Sequence, residues 1–561
     1  MRKTKQNIMP FVAQKGQLGP IMTSDRVYLF DTTLRDGGQT RGIDFSVGDK
    51  IAIAQALDSF GIDYIEGGWP GANPTDDAFF GQPPEFKNAK FIAFGMTRRA
   101  GRSADNDPGL AAVLGAETDG TCLVGKTWDF HVKTALNITQ DENLAMIQSS
   151  IAAIAAKGRE AMFDCEHYFD GFKANKDFAL SCVKAAYDGG ARWVVLCDTN
   201  GGSLPDEIYE IVAETKAFLP EVNLGIHCHN DTGMAVANSL AAVKAGARQI
   251  QGTINGLGER CGNADLITII PNLMLKIGYE TNIAADKLPK LVTLSRLIDD
   301  RLNRTPNAHA PYVGAAAFAH KGGLHASAAQ KDPRTYEHVT PESVGNQRQF
   351  LISDQTGKSN ILARFKEVGI TVDAKDSRLD RLIASVKERE FQGWSFDSAE
   401  ASFELMARQA LGEVPEFFTI GRFRVTDERR FNAKGQMVVE SEATASVQVG
   451  TMTHDEVGFG NGPVHAVDNA LRKALIEAYP LLSSVELTDY KVRILEPQNG
   501  DEGTGAVTRV LIEFTDDKAH IWRTCGVSTN IIDASVMALA DGMRYKLHRE
   551  NASLPKGALD A

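Results

Sequence analysis

Residues 224–231 run Leu224-Gly225-Ile226-His227-Cys228-His229-Asn230-Asp231. The apolar start fits a short strand, and a strand turns alternate side chains to one face, so His227 and His229 leave the same side of the sheet. A metal ion fits between two such imidazoles. Further donors lie far off in sequence, in Asp31-Thr32-Thr33-Leu34-Arg35-Asp36-Gly37 and in Gly258-Glu259-Arg260-Cys261-Gly262-Asn263. These segments make one site only in a fold that brings all three together.

Working outward from that stretch, short β-branched runs alternate with helical patterns from residue 26 to about 269. Eight runs can be counted, at 27–30, 64–66, 91–94, 121–124, 162–164, 193–196, 224–226 and 249–253. Eight β/α units predict a closed (β/α)8 TIM barrel over residues 25–285, with an open doubly wound sheet as the alternative. Closure sets the last strand beside the first, so runs one, seven and eight become neighbours. Each of the three motifs follows one of those runs, at the C-terminal rim where such barrels place their chemistry. Between the first two runs a helix is expected, with Ser46 as N-cap, Asp49 three residues on, a stripe of Val47, Ile51, Ala54 and Leu57, and Gly61 as its stop.

A chain of 561 residues exceeds what one hydrophobic core supports, so several domains are expected. Residues 1–24 read as a loose leader without the apolar core of a signal peptide. Residues 286–414 are mainly helical, with amphipathic stretches near 358–367, 377–390 and 397–411, and form a helical linker subdomain. After Phe417 the period changes to two, and a set of strands closed by a helix occurs twice, ending in 463–478 and in 530–546. Residues 415–550 therefore read as a duplicated βββα domain.

The composition, 43% hydrophobic and 24% charged, is that of a soluble globular protein. No apolar run approaches the roughly 20 residues that span a bilayer. A formal net charge of −12 argues against nucleic acid or an anionic membrane as partner, and leaves any anionic substrate to local positive charge. Seven scattered cysteines without a CxxC pair fit neither a disulfide framework nor a zinc ribbon, and point to a reducing, cytoplasmic compartment.

Asp36, His227, His229 and Asn263 offer carboxylate oxygen, imidazole nitrogen and amide oxygen together. This mixed set suits a catalytic magnesium, manganese or zinc ion and leaves positions open for substrate and water. Arg35, beside Asp36, is placed to stabilise an enolate or alkoxide, a salt bridge in the barrel mouth being the alternative. Glu166, Thr199 and Glu66 also follow expected strands: Glu166 to orient a base or water, Thr199 to donate to a substrate carboxylate, and Glu66, like Arg35, to meet substrate at the rim, with a local hydrogen bond as the plainer role of Glu166, Thr199 and Glu66. Gly256-Leu257-Gly258 has the wrong spacing for a dinucleotide fingerprint.

The runs DTTLRDGGQ (31–39), YIEGGWPGANP (64–74), LCDTNGGSLP (196–205), HCHND (227–231), QGTINGLGERCGN (251–263), FAHKGGLHA (318–326) and YEHVTPESVGN (336–346) resemble the DRE-TIM metallolyase family. The likeness is to its acyl-CoA-dependent branch of isopropylmalate, homocitrate and citramalate synthases, and within it to the citramalate synthases most. The resemblance implies that acetyl-CoA, as co-substrate, adds to a 2-oxo acid in a Claisen-type condensation followed by thioester hydrolysis. For citramalate the acceptor is pyruvate and the pathway that of isoleucine.

It further implies His325 as the base, with His320 as rival, Tyr336 as a contributor and Glu166 as a supporting carboxylate. Ser327 stands where some relatives carry Asp. A homodimer is implied, with the linker reaching the partner's barrel, and a C-terminal regulatory domain answering to isoleucine. Rival readings keep the site with 2-oxoisovalerate as acceptor, run it as a lyase, make the chain an inactive amino-acid sensor, or make it a metal-dependent hydrolase.

Overall fold

A computed structural model describes residues 25–553 except 322, 351–360, 363, 366–368, 374–375, 397, 432 and 496–505. The expected leader and much of the expected helix at 358–367 lie outside the described residues. The chain forms two compact units, one running to Phe318 and including Val339–Gln347, the other made of Ala319–His338 and Arg348 onward. Among the described residues no helix is long and apolar enough to cross a membrane.

The first unit is a closed barrel of eight parallel strands: β1 (Tyr28–Asp31), β2 (Tyr64–Gly68), β3 (Lys90–Met96), β4 (Gly120–Lys126), β5 (Glu160–Glu166), β6 (Trp193–Asp198), β7 (Leu224–Cys228) and β8 (Gln249–Gly252). Every run read from the sequence is a strand, and the open sheet is excluded. The closing register sets Phe30 beside Gln251 and Asp31 beside Gly252, while His227 lies against Gln251 from the other side. Motifs two hundred residues apart thus share one rim.

A period of two sorts each strand. Phe30, Tyr64, Ile92, Cys122, Met162, Trp193, Val195 and Cys197 pack inside the barrel. The alternate residues, among them Leu29, Ile65, Leu123, Phe163, Leu196 and Ile226, belong to the larger core under the surrounding helices. Each fully buried side chain of this size contributes roughly 1.5–3 kcal/mol, and these layers support the polar groups at the rim.

Helix α1 (Val47–Phe60) begins with the expected capping box of Ser46 and Asp49 and ends at Gly61, whose φ of 113° is left-handed. Its buried face is rotated from the expected stripe. Ile53, Ala54, Leu57 and Phe60 are buried, whereas Val47 and Ile51 are half-buried. The reason is Lys50, which is buried on that face because its ammonium bonds the Gly67 carbonyl at 2.9 Å and pairs with Asp76. Helix Leu291–Arg301 lays Leu291, Leu294 and Ile298 into the barrel's core.

In the second unit, helices Ser377–Phe391 and Glu400–Leu411 enclose a small core with Phe365, Leu382, Val386 and Phe403. The duplicated pattern follows as two antiparallel three-stranded sheets. Strands β9 (Thr419–Phe431), β10 (Met437–Val449) and β11 (Met452–Gly460) are followed by helix Pro463–Ile476, and β12 (Glu486–Ile494), β13 (Thr508–Thr515) and β14 (Ile521–Ser528) by helix Ile531–Arg549. Both halves share one core that includes Val447, Leu471, Phe514 and Leu539.

Candidate active site

Hydrogen bonds from the turn after β1 hold the loop after β8. Asp31 accepts from Thr33 N and Oγ1, both at 2.9 Å, and Thr33 Oγ1 accepts from Ile254 N at 2.9 Å. Thr40 Oγ1 accepts from Gly258 N at 2.8 Å. Burial pushes the Asp31 carboxyl up to about 7. The β8 loop then folds back along β7: Asn230 N donates to Gly262 O at 2.8 Å, Ala264 N donates to Cys228 O at 2.9 Å, and Asn263 bridges His229. A Cβ on Gly258 would sit 2.0 Å from Asn263 Oδ1, and one on Gly262, with φ 90°, 2.0 Å from Gly256 O. Gly258 thus clears room for Asn263, and Gly262 lets the loop pass close to the Gly256 carbonyl.

The four expected ligands meet here. His227 Nε2 lies 3.3 Å from Asp36 Oδ2, and Asn263 Nδ2 lies 3.0 Å from that oxygen and 3.2 Å from His227 Nε2. The His229 ring centroid is 5.3 Å from that of His227. All four residues are buried, and Asp36, His227 and His229 line a pocket of about 340 Å³. Burial alone would raise the Asp36 carboxyl, but Arg35 and the two imidazoles hold it below its ordinary value. Burial, then the neighbouring His227, push His229 down to about 4.

These residues fit a divalent cation. Gln251 Nε2 donates to Asp164 Oδ1 at 3.0 Å, which leaves Gln251 Oε1 to accept from His227 Nδ1 at 2.8 Å. That network assigns the tautomer whose Nε2 lone pair faces Asp36. Asn263 Oδ1 and His229 Nδ1 are buried without a partner among the described residues. Turning the Asn263 amide through 180° presents its oxygen where its nitrogen now stands.

Arg35 is fixed from three sides. Its Nε bonds Glu66 Oε2 at 2.7 Å, its Nη1 bonds Asp36 Oδ1 at 2.5 Å, and its guanidinium carbon stands 3.9 Å from the centre of the Phe94 ring. Glu66 is fully buried behind this arginine, and burial pushes its carboxyl up to about 8 despite Arg35. Glu66 therefore braces Arg35, where the sequence suggested a group that meets substrate. Thr199 Oγ1 accepts from His167 N at 2.9 Å, so its hydroxyl hydrogen stays available to the pocket. Glu166 pairs with Lys126, and both line the pocket.

Comparison with known proteins adds to this geometry. Residues 26–296 match the HMGL-like family, 312–392 the homocitrate synthase post-HMGL domain-like family, and 397–547 the LeuA allosteric (dimerisation) domain. The chain is 49% identical to the (R)-citramalate synthase of Aquifex aeolicus, over 94% of this chain and 99% of that one. It is 51% identical to the (R)-citramalate synthase of Geobacter sulfurreducens, over 93% and 98%. The chain belongs to the citramalate synthase family. A probable 2-isopropylmalate synthase of Methanopyrus kandleri is more distant, 34% identical over 94% of this chain and 99% of that one.

In this citramalate synthase family member, His325 and Tyr336 lie in the second unit, apart from the barrel residues in the chain's division. His325 is exposed on helix Gly323–Lys331, its ring stacked on Tyr336 with centroids 4.3 Å apart. His320 is tied instead: its Nε2 lies 3.3 Å from Glu337 Oε1, and that buried carboxylate also pairs with Arg348. A second cluster of ligand-type residues, Asp516, His520 and Glu550, is already neutralised, with Lys546 2.7 Å from Asp516 and Lys518 2.8 Å from Glu550. It needs no ion.

Sequence reasoning missed Gln251, Asp164 and Lys126. A signal existed for the first two. Asp164 precedes Glu166 by two positions on β5, and Gln251 lies level with His227 in the β7–β8 register. Period two aims both at the site.

Proposed function

We infer that this protein condenses acetyl-CoA with pyruvate and, with water, yields citramalate and free CoA, as a step toward isoleucine. The observation that carries this reading is identity near 50% to (R)-citramalate synthases over almost the whole chain, 49% and 51% in the two cases above. Those names also support the R configuration of the product.

Asp36, His227, His229 and Asn263 would hold a divalent ion, magnesium, manganese or zinc, which when bound polarises the keto group of the 2-oxo acid. Arg35, braced by Glu66 and Phe94, is assigned to the developing alkoxide oxygen, and Thr199 to the substrate carboxylate. His325 is assigned as the base that takes a proton from the acetyl methyl group, Tyr336 as its orienting neighbour and Glu166 as a supporting carboxylate. The carbanion so formed bonds to C2 of pyruvate, the keto oxygen takes up a proton, and water then cleaves the thioester, releasing CoA.

The exposure of His325 and the match of residues 397–547 to a dimerisation domain support a homodimer in which this helix serves a partner's barrel. The same domain is assigned isoleucine as its effector, coupled to the active site by a free-energy difference between two states. Scattered unpaired cysteines support a cytoplasmic location.

Release of CoA measured with pyruvate and with 2-oxoisovalerate tests the assignment. Preference for pyruvate is expected. Equal or better turnover of the larger acid would make the protein an isopropylmalate synthase, and no release with either acid would leave an amino-acid sensor.

A further inference from the structure

Arg260, in the loop after β8, is exposed yet held on left-handed backbone, with a φ of 56°. A side chain on such backbone costs stability, and an exposed ion pair offsets little of that cost. Stability therefore does not explain the arrangement. The guanidinium reaches across the rim to the loops after β7 and β6: Nε donates to Asp231 Oδ1 at 2.8 Å, and Nη2 donates to Asp231 Oδ2 at 3.0 Å and to Thr199 O at 2.7 Å. The forked pair fixes the plane of the guanidinium, and the third bond fixes the carbonyl of Thr199. Gly201 makes this approach possible. Its φ is 60°, and a Cβ there would lie 2.5 Å from Asp231 Oδ2. Thr199, His229 and Arg260 line the same pocket.

We propose that Arg260 is a positioning residue for the 2-oxo acid: by clamping Thr199 to Asp231 it holds the Thr199 hydroxyl toward the pocket, and so sets the affinity for the substrate carboxylate. The proposal rests on the assignment of Thr199 to that carboxylate and names the residue that orients it. Thr199 Oγ1 already accepts from His167 N at 2.9 Å, so its hydrogen is the part left for a ligand. Where that hydrogen points depends on the main chain beneath it. His167 fixes the hydroxyl oxygen and Arg260 fixes the carbonyl, so the residue is held at two points. The charge of the guanidinium is met by Asp231, and Glu259 Oε2 lies 3.4 Å from Nη1. Its effect on the substrate therefore passes through Thr199.

Arg260→Gly removes the clamp and suits the left-handed backbone, so the loop that carries Asn263 keeps its path. It is expected to raise KM for pyruvate about tenfold, with kcat within about threefold and KM for acetyl-CoA within about twofold of the wild type. Mn²⁺ affinity, titrated without substrate, is expected to stay within about twofold, because Arg260 bonds none of the proposed ligands. Thr199→Val alone should raise KM for pyruvate at least as far. Adding Arg260→Gly to Thr199→Val should change it no further, since the group that Arg260 positions is gone.

Run with both pyruvate and 2-oxoisovalerate, the same full-length proteins separate the two questions. The wild type's preference between the acids tests the acceptor, whereas the ratio of variant to wild type for the preferred acid tests the clamp. Calorimetric binding of the acids to the Mn²⁺-loaded proteins gives that ratio without turnover. A loss of affinity confined to the acid, and absent in the Thr199→Val background, supports the proposal whichever acid is preferred. Fold-changes that multiply in the double variant, an unchanged affinity for the preferred acid in Arg260→Gly, or Mn²⁺ affinity lost together with acid affinity would overturn it.

Discussion

At the barrel rim, Asp36, His227 and Asn263 are buried, bonded to one another at 3.0 to 3.3 Å and braced from behind by Gln251 and Asp164. On helix Gly323–Lys331, His325 is exposed and has the Tyr336 ring as its neighbour. Rigid elements and layered hydrogen bonds preorganise the first set. They also burden it with buried acceptors such as Asn263 Oδ1, which lack a partner among the described residues. The second set carries no such burden, and in the proposed role of base His325 would gain from access to a donor arriving from solvent. The difference teaches that the proposed electrophile's site is built into the barrel, whereas the proposed base, His325, belongs to a separate element.

Removing the base tests that division most severely. His325→Ala is expected to abolish exchange of the acetyl methyl protons with solvent and to lower kcat by about 10²- to 10⁴-fold, with the affinity for pyruvate nearly unchanged. Normal proton exchange in that variant would move the role to His320 and erase the contrast. Arg35→Ala acts on the rim instead, and kcat is expected to fall about 10²- to 10³-fold without loss of proton exchange. Arg35→Lys should recover little, since an ammonium cannot bond Glu66 and Asp36 and cover the Phe94 face together.

The bracing behind the rim is a smaller effect. Gln251→Leu removes the acceptor of the His227 Nδ1 hydrogen, and Mn²⁺ affinity, read by titration without any substrate, is expected to weaken about 10- to 100-fold. Unchanged affinity would make the Asp164–Gln251–His227 chain mere packing. Smallest of all is Ser46→Ala, which removes the cap of α1 far from the chemistry. It should cost about 1 kcal/mol of stability in denaturant unfolding while kcat stays as in the wild type.

The rim was legible in the sequence because period two and ring closure are both visible there. Eight β-branched runs place Asp36, His227 and Asn263 after neighbouring strands, and the register of β1 with β8 bears this out. What stayed hidden were contacts whose partners carry no local signal. Lys50 looks like a surface residue of α1 until Asp76 and Gly67 O are seen beneath it. Glu66 reads as a rim carboxylate because its position after β2 says nothing of the guanidinium in front of it. The shape of the pocket at the rim follows from loop conformations, which composition and periodicity do not encode.

The most direct test of the metal centre is anomalous diffraction from crystals grown with Mn²⁺. We predict one strong peak in each barrel, within ligating distance of Asp36, His227 and His229, with the Asn263 amide oxygen turned toward it. A barrel rim without a peak, or an ion bound only at Asp516, His520 and Glu550, would contradict the assignment of this site.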